Sequence, residues 1–381
     1  MFRYLTAGES HGKGLIAIID GMVAGLPLDE DYIARDLARR QGGYGRGGRM
    51  KIESDHAEII SGVRYGLTIG SPISLLLRNR DWENWQEAMS VSPVAKESEP
   101  VTRLRPGHAD LAGTKKYGLD DVRPILERAS ARETAARVAV GAVARRFLEE
   151  FGIAIRSHTL AIGSAQANAN IDKIDWAKVD KSTVRCADTK IEKSMISVID
   201  AARDTGDSVG GIFQVIATGV PIGLGSHVQW DRRIDGRIAQ AIMSINAVKD
   251  LEIGSCSSIE GLKGSLTHDT IQFDKTKQMW KHTTNHAGGI EGGISNGEAI
   301  TVKAFVKPIP TLGKPLRSAD LKTGQSVDAH IERSDVCVVP AAGVIGEAML
   351  AIVLADAMLE KFGGDHLKET MRNYNNYLKT I

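Results

Sequence analysis

Residues 125–151, with the sequence ILERASARETAARVAVGAVARRFLEEF, contain the longest helical pattern of this chain. The stretch is rich in alanine, which is the strongest helix former. Val138, Ala142 and Phe147 supply apolar side chains for packing, and Gly152 follows where a helix is expected to end. The segment therefore predicts a long core helix.

The remaining elements predict a layered fold. Further helices are expected over residues 29–41, 191–203, 233–245 and 344–362, with Asp29 as the N-cap of the first. Strand patterns occupy residues 15–19, 58–63, 73–77, 153–162, 212–217 and 299–306. Strands do not alternate strictly with helices, which favours an α+β fold over a doubly wound parallel sheet. Without a repeat or a Pro/Ser-rich linker, one domain over residues 1–381 is predicted, with a mobile loop or flap at 80–101.

The composition argues against several classes of protein. The 48 basic and 47 acidic residues nearly balance, unlike those of a bulk nucleic-acid binder or a polybasic membrane protein. Cys186, Cys256 and Cys337 are widely spaced, which argues against disulfides and zinc and for a reducing compartment. Because no spanning apolar stretch or signal pattern is found, we expect a cytoplasmic protein with no metal, nucleic-acid or membrane partner.

Two histidines stand beside glycines, in Gly8-Glu9-Ser10-His11-Gly12 and in Arg105-Pro106-Gly107-His108-Ala109-Asp110. Histidine readily exchanges a proton near neutral pH, and a neighbouring glycine lets a ligand approach the backbone. Arg105 could hold an anion beside the second histidine. These segments predict proton transfer on a small anionic molecule.

Two arginine-rich segments could bind that anion. Residues 35–51 carry a net charge of +5, with Arg40, Arg46 and Arg49 among glycines. Forked guanidinium groups suit carboxylates and phosphates, although a solvated loop or a short RGG-like RNA-binding tract would show the same pattern. In the second segment, Arg128 and Arg132 are four residues apart and would share one helix face. Ordinary surface charges on a core helix are the alternative there.

Two later segments add further candidates. The paired glycines of residues 285–297 could cradle a phosphate or approach a flat ring, or could simply form a tight surface turn. Asp335 leads into a predicted buried strand. Burial there would raise the pKa of its carboxyl group, whereas a nearby cation would lower it. It is therefore a candidate for proton relay, with an ordinary strand-edge ion pair as the alternative. Cys337 is interpreted as a core residue.

Taken in order, these segments resemble the chorismate synthase family over nearly the whole chain. The matching motifs are GESHG at 8, RRQGGYGRGGRM at 39, RPGHAD at 105, RASARETAARVAVGA at 128, NHAGGIEGGISNG at 285, KPIPT at 307 and RSDVCVVP at 333. Residues 244–250, SINAVKD, are similar to a flavin-contacting segment of the family, except that Asp250 replaces the usual glycine. An inward-pointing charge at Asp250 would disfavour a flavin phosphate.

The resemblance implies a β-α-β sandwich with helices between antiparallel sheets, assembled as a homotetramer. It implies a lyase that removes phosphate from 5-enolpyruvylshikimate 3-phosphate by 1,4-anti elimination, giving chorismate for aromatic amino-acid biosynthesis. The reaction requires reduced FMN (FMNH2) without net redox change. NADPH, or a separate flavin reductase, would reduce the flavin, and we expect dependence on the reductase.

The resemblance also assigns roles to residues. His11 would protonate the leaving phosphate, His108 would protonate or stabilise the reduced flavin, and Asp335 would assist proton passage. FMN would contact Arg128, Ala129, Ser130, Asn246, Ala247, Gly292, Lys307, Pro308, Ile309, Pro310, Thr311 and Arg333. Substrate or NADPH would contact Ser10, Arg40, Arg46, Arg49, Arg105 and Arg132. A non-catalytic flavin or metabolite sensor on the same fold is the competing hypothesis, although such a sensor would not need His11 and His108.

Overall fold

A computed structural model describes residues 1–47, 54–96, 98–168, 171–259, 261–276, 279–332 and 334–380. Its helices are α1 Glu30–Gln41, α2 Asp110–Tyr117, α3 Arg123–Ala129, α4 Thr134–Glu149, α5 Trp176–Lys181, α6 Thr189–Asp204, α7 Ile234–Met243, α8 Cys256–Ile259, α9 Gly264–Thr267, α10 Val339–Phe362 and α11 Leu367–Leu378. Its longer strands are β1 Arg3–Gly8, β2 Gly14–Asp20, β3 Glu58–Ser61, β6 Ile73–Arg78, β7 Ala154–Ile162, β9 Gly211–Thr218, β10 Val248–Ile253 and β15 Ile300–Val306. Its shorter strands are β4 Val63–Arg64, β5 Leu67–Thr68, β8 Ala165–Gln166, β11 Ile271–Asp274, β12 Met279–His282, β13 Ile290–Glu291, β14 Ile294–Ser295, β16 Arg317–Ala319 and β17 Ser326–Asp328.

Two antiparallel sheets enclose a helical layer. One sheet has the strand order β1-β2-β6-β3, and the other has the order β10-β15-β9-β7-β8. Helix α4 packs on β2 and β6 of the first sheet, and α10 packs on β7 and β9 of the second. The two helices also pack on each other. The predicted α+β sandwich with helices between antiparallel sheets is thus confirmed.

The contact between α4 and α10 depends on small residues. A methyl group placed on Gly141 of α4 would lie only 2.3 Å from the Cβ and 2.5 Å from the Cα of Ala348 on α10. The helix backbones therefore approach more closely than any larger side chain would allow. Among the described residues, only α10 is long and apolar enough to cross a membrane, yet 94% of its most apolar window is buried. Such burial is typical of a core helix.

A buried carboxylate links three layers of this core. Glu347 of α10 is fully buried, and its two oxygens accept hydrogen bonds from the two terminal nitrogens of Arg39, each at 2.8 Å. Arg145 of α4 donates to the same carboxylate at 2.7 Å, and Ser157 of β7 donates at 2.6 Å. Burial alone would raise the pKa of Glu347, but Arg39, Arg145 and Arg185 hold it well below its usual range. The end of α1 is thereby fixed against α4, α10 and β7.

The first sheet presents an apolar outer face. Along β2, Leu15, Ala17 and Ile19 are buried against the helices, whereas Ile16 and Ile18 are 42% and 45% exposed. The antiparallel register extends this face, because Leu5 lies opposite Ile18, and Leu76 lies opposite Ile16. The alternation of side chains along a strand therefore gives this sheet two apolar faces, of which one lacks a cover within the described chain.

Three expectations about secondary structure were wrong in detail. The helix predicted over 125–151 is interrupted at Ser130, whose ψ of 142° is extended. Arg128 and Arg132 therefore do not share one helix face. The strand predicted to follow Asp335 is absent, because α10 begins at Val339 with a proline in its first turn. The strand predicted over 58–63 ends at Ser61, since Gly62 adopts a φ of 86° in a turn.

We expect Glu347→Gln to lower the free energy of unfolding by about 3–5 kcal/mol, because the surrounding guanidinium groups lose their counterion. Chemical denaturation near neutral pH measures this change. Glu360→Gln is the matched control, since it lies on the same helix in an exposed pair with Arg237. Its expected effect is below about 1 kcal/mol.

The difference between wild type and Glu347→Gln should also depend on pH. The folded-state pKa of Glu347 is lowered, so its stabilisation is complete above the ordinary carboxyl pKa and is lost as the pH falls below it. The difference in unfolding free energy between the two proteins should therefore become smaller as the pH is lowered into the acidic range. Equal losses in both variants, or a difference that is constant with pH, would contradict this role.

Candidate active site

Most of the predicted site residues line one cavity of about 420 Å³. This volume lies within the range of roughly 300–1,000 Å³ that is typical of small-molecule and cofactor sites. The predicted residues in its wall are Ser10, His11, Arg40, Arg46, Arg105, His108, Ala129, Ser130, Arg132, Asn246, Ala247, Lys307, Ile309, Pro310, Thr311 and Asp335. The fold thus brings together segments from both ends of the chain.

Other predicted residues lie elsewhere. The Arg128 side chain donates to the carbonyl oxygens of Thr6 and Gly8, at 3.1 and 3.2 Å, and does not line the cavity. Pro308 and Gly292 are also outside its lining, and Gly292 lies in the turn between β13 and β14. Arg49 and Arg333 fall outside the described residues.

The glycine-rich segment 285–297, all of it described, contributes no residue to the cavity wall. Several of its N–H groups already have acceptors within the chain. Asp269 accepts from the N–H groups of His286 and Ala287 at 2.8 and 2.9 Å, and the Asn285 side chain accepts from Gly289 at 2.7 Å. These three donors therefore organise a turn in this chain and are not directed at a ligand.

His11 is held by a buried carboxylate and an aromatic ring. Its Nδ1 lies 2.8 Å from Oε1 of Glu127, and its backbone N–H donates to the other carboxylate oxygen at 2.7 Å. The imidazole stacks on the Trp85 indole, with centroids 4.0 Å apart and ring planes 25° apart. Glu127 therefore fixes which ring nitrogen of His11 faces the carboxylate, and with it the orientation of the imidazole.

His108 also has a carboxylate at Nδ1. Asp110 is fully buried and lies 2.5 Å from that nitrogen, and it accepts two hydrogen bonds of 2.9 Å from the Arg105 side chain. Burial would raise the pKa of Asp110, but the hydrogen bonds from His108 and Arg105 lower it below its usual range. Two nitrogens of the Arg105 guanidinium are thus bound to Asp110. Arg105 holds Asp110 in place, and Asp110 in turn orients His108.

Two further arginines share another buried carboxylate. Asp55 lies 3.3 Å from Arg40 and also forms an ion pair with Arg132. The Arg40 side chain additionally donates to Thr134 at 3.0 Å and to the Ala131 carbonyl at 2.9 Å. Burial, together with the nearby cations Arg46 and Arg132, lowers the pKa of Arg40 to about 9, so the group stays charged at neutral pH. Arg40 is thus an internal cation and not part of an exposed RNA-binding tract.

Asp335 is bound to the arginine-rich segment. One carboxylate oxygen accepts from the N–H of Gly47 at 2.6 Å, and the other lies 3.1 Å from Arg46. The carboxyl is half-buried in the cavity wall, in the loop before α10 and not at a strand edge. Two residues further on, burial raises the pKa of the Cys337 thiol to about 11, consistent with a core cysteine.

The cavity lining also includes apolar side chains. They belong to Leu126, Ile245, Val338, Ala341, Ala342 and Ile345. At its edge, Asn246 donates to the carbonyl of Ala129 at 3.0 Å, and Ala247 adopts a φ of 67°. Asp250 is exposed and absent from the lining, and it accepts from the N–H of Leu251 at 2.8 Å. Its negative charge therefore does not point into the cavity.

Five residues of this site carried no role in the sequence-based prediction: Asp55, Asn79, Trp85, Asp110 and Glu127. Asp110 and Glu127 stand within motifs that drew attention for their histidine and arginines. Trp85 lies in the segment predicted to be a surface flap.

Within the described residues, no cluster of three or more histidine, cysteine or acidic side chains could hold a metal ion.

A layered fold around a cationic cavity with two carboxylate-bound histidines indicates an enzyme with an internal small-molecule site. The chorismate synthase family model matches residues 2–359. Chorismate synthases of Moorella thermoacetica and Solibacter usitatus are 55% and 54% identical, over 100% of this chain and 100% and 99% of theirs. A crystal structure of chorismate synthase, 44% identical, superposes with a TM-score of 0.81, over 100% of this chain and 98% of that one. The chain belongs to the chorismate synthase family.

We expect Asp55→Asn to destabilise the protein by about 3 kcal/mol or more, because Arg40 and Arg132 lose their shared counterion. Added inorganic phosphate should then raise the melting temperature of this variant more than that of wild type, since the anion can replace the lost charge. Differential scanning calorimetry with and without phosphate measures both effects. Asp20→Asn, in an exposed pair with Arg3, is the control and should respond like wild type. An equal phosphate response in all three proteins would refute this charge balance.

Proposed function

We propose that this chain is a lyase that eliminates phosphate from 5-enolpyruvylshikimate 3-phosphate in the 1,4-anti sense, giving chorismate. Membership of the family supports this reaction. The observation that carries it is the pair of histidines, each with a buried carboxylate at Nδ1, in the wall of one cationic cavity. Such pairs fix the tautomer of an imidazole and prepare it for proton transfer.

The charge of the cavity fits the proposed substrate. That molecule carries two carboxylates and a phosphate, and the described part of the wall contains five cationic side chains against three carboxylates. The cations are Arg40, Arg46, Arg105, Arg132 and Lys307. Asp110 occupies much of the Arg105 guanidinium, and Asp55, Thr134 and the Ala131 carbonyl occupy that of Arg40. We therefore assign substrate binding mainly to Arg46, Arg132 and Lys307.

The same cavity fits reduced FMN. A flavin needs an apolar surface for its ring system and cations for its phosphate, and the wall offers both. We propose that Ala129, Ser130, Asn246, Ala247 and residues 307–311 hold it. When bound, reduced FMN lends electron density that promotes departure of the phosphate, with no net redox change.

The two histidines take different tasks in this proposal. His11, oriented by Glu127, gives a proton from Nε2 to the departing phosphate. His108, oriented by Asp110, holds a proton at another place in the cavity wall. Lys307 lies next to this histidine segment, since Lys307 Nζ donates to the carbonyl of Gly107 at 2.6 Å. The elimination also releases a proton from the substrate ring, and Asp335, beside Arg46, assists the passage of this proton.

The test is anaerobic turnover of the enolpyruvyl substrate with chemically reduced FMN, which should yield chorismate and phosphate. NADPH in air should support turnover only with an added flavin reductase, because we propose dependence on one. Folded protein that binds FMN and gives no chorismate would instead favour the sensor hypothesis. We further propose a cytoplasmic location, which the buried free thiols of Cys186 and Cys337 support.

His11→Ala and His108→Ala should each reduce anaerobic turnover at least ~10-fold, because each removes a proton-transfer group. FMN binding, measured by flavin fluorescence titration, should persist in both. His227→Ala removes an exposed histidine outside the cavity lining and should keep wild-type turnover. Near-wild-type rates in both cavity variants would exclude the assigned roles.

We also propose a homotetramer. The outer face of the first sheet, with Leu5, Ile16, Ile18 and Ile60 exposed, is the apolar surface that supports assembly from identical chains. Exposed apolar patches of this kind commonly mark protein interfaces.

Ile18→Lys should therefore shift the mass in solution below four times the chain mass of 41.1 kDa, because a charge in the apolar interface opposes its burial. Size-exclusion chromatography with light scattering measures the shift. Leu378→Lys, at a similarly exposed position on α11, is the control. A tetramer that survives Ile18→Lys unchanged would place the interface elsewhere.

A further inference from the structure

Among the described residues, the loop of residues 80–101 contributes Asp81 and Trp85 to the cavity wall. A 3-10 turn over Arg80–Asn84 directs the chain so that Trp85 lines the wall, where its indole stacks on His11. The backbone N–H of Trp85 donates to the backbone carbonyl of Trp82 at 2.9 Å, which ties Trp85 to the end of this turn. The segment predicted to be a surface flap thus contacts His11, the histidine that we assign to the leaving phosphate.

The loop and the histidine segment are joined at a buried residue. Asn79 precedes the 3-10 turn, and its side-chain nitrogen donates to the carbonyl oxygens of Glu9 and Gly12, at 3.0 and 2.8 Å. The side-chain oxygen of Asn79 accepts from Arg132 at 2.9 Å. His11 and Trp85 are therefore held on two backbone segments that share one anchor.

The Trp85 ring also covers the ion cluster behind His11. The Arg123 guanidinium carbon lies 5.1 Å from the centroid of the Trp85 ring, and Arg123 contacts the same Glu127 oxygen as His11, at 3.4 Å. Arg123 further binds Glu332 at 3.2 Å. The aromatic face over Arg123 favours this cation electrostatically.

We propose that Trp85 is a positioning residue for His11. Its indole fixes the plane of the imidazole, so that Nδ1 stays on Glu127 and Nε2 is presented to the leaving group. The catalytic consequence rests on the proposed elimination reaction, whereas the stacking itself is a property of the protein without ligand. A misplacement of about 1 Å at a reacting group can lower a rate on the order of 100-fold, so this positioning matters for turnover.

The first test uses tryptophan fluorescence of the protein without ligand. The stacked imidazole is part of the immediate surroundings of the Trp85 indole, so replacing His11 should change the emission of Trp85. The difference between wild type and Trp85→Phe isolates Trp85 from the other four tryptophans, including Trp176, which lies beside His158.

The His11→Gln background decides this test. There, the Trp85 emission, again taken as the difference from the matching Trp85→Phe protein, should differ from that of wild type because the stacked imidazole is gone. If the Trp85 emission is unchanged with glutamine at position 11, the stack is not present in solution and the proposal is overturned. This outcome is independent of turnover, so it also separates failure of the positioning role from failure of the proposed reaction.

The second test is kinetic. Trp85→Ala should lower kcat on the order of 10-fold or more with little change in KM or FMN binding, whereas Trp85→Phe keeps an aromatic face and should retain most activity. Trp82→Ala, in the same loop but outside the cavity lining, is the matched control and should behave like wild type. Equal losses in Trp85→Phe and Trp85→Ala, or in Trp82→Ala, would show a general role of the loop and refute the specific one.

Discussion

The ion cluster at Glu347 sets the geometry on which the cavity depends. A carboxylate without water must be compensated by positive charge, and Arg39, Arg145 and Arg185 supply it from three parts of the chain. Arg39 is the immediate neighbour of Arg40, so the contact that anchors the end of α1 also determines where Arg40 meets Asp55. The core and the candidate site are thus linked through two adjacent residues of one helix.

Buried carboxylates occur at several places in the site and have two different functions. Asp55 and Asp110 neutralise arginines, which keeps several cations in one cavity without excessive repulsion. Glu127 and Asp110 also bind the Nδ1 atoms of His11 and His108, which fixes the orientation of each ring. This division explains how a cavity rich in arginine can hold two histidines in defined orientations, and why we assign them separate tasks.

Several elements followed directly from local patterns. The helix predicted over 29–41 is α1, with Asp29 accepting from the N–H of Tyr32 as its cap, and the strand predicted over 299–306 is β15. The interruption at Ser130 was not predictable, because the alanine-rich sequence favours an unbroken helix and the break depends on contacts between distant segments. Likewise, nothing local in the loop around Trp85 indicates that its ring reaches His11.

The sequence by itself determined the family, the layered α+β class and most of the residues in the cavity wall, because ordered motifs and side-chain periodicity are local properties. Only the tertiary structure decided which acid accompanies which base. Glu127 lies 116 residues from His11, and Glu347 lies 308 residues from Arg39, so no spacing rule connects them. Burial and electrostatic compensation select these partners, and both act only once the chain has folded.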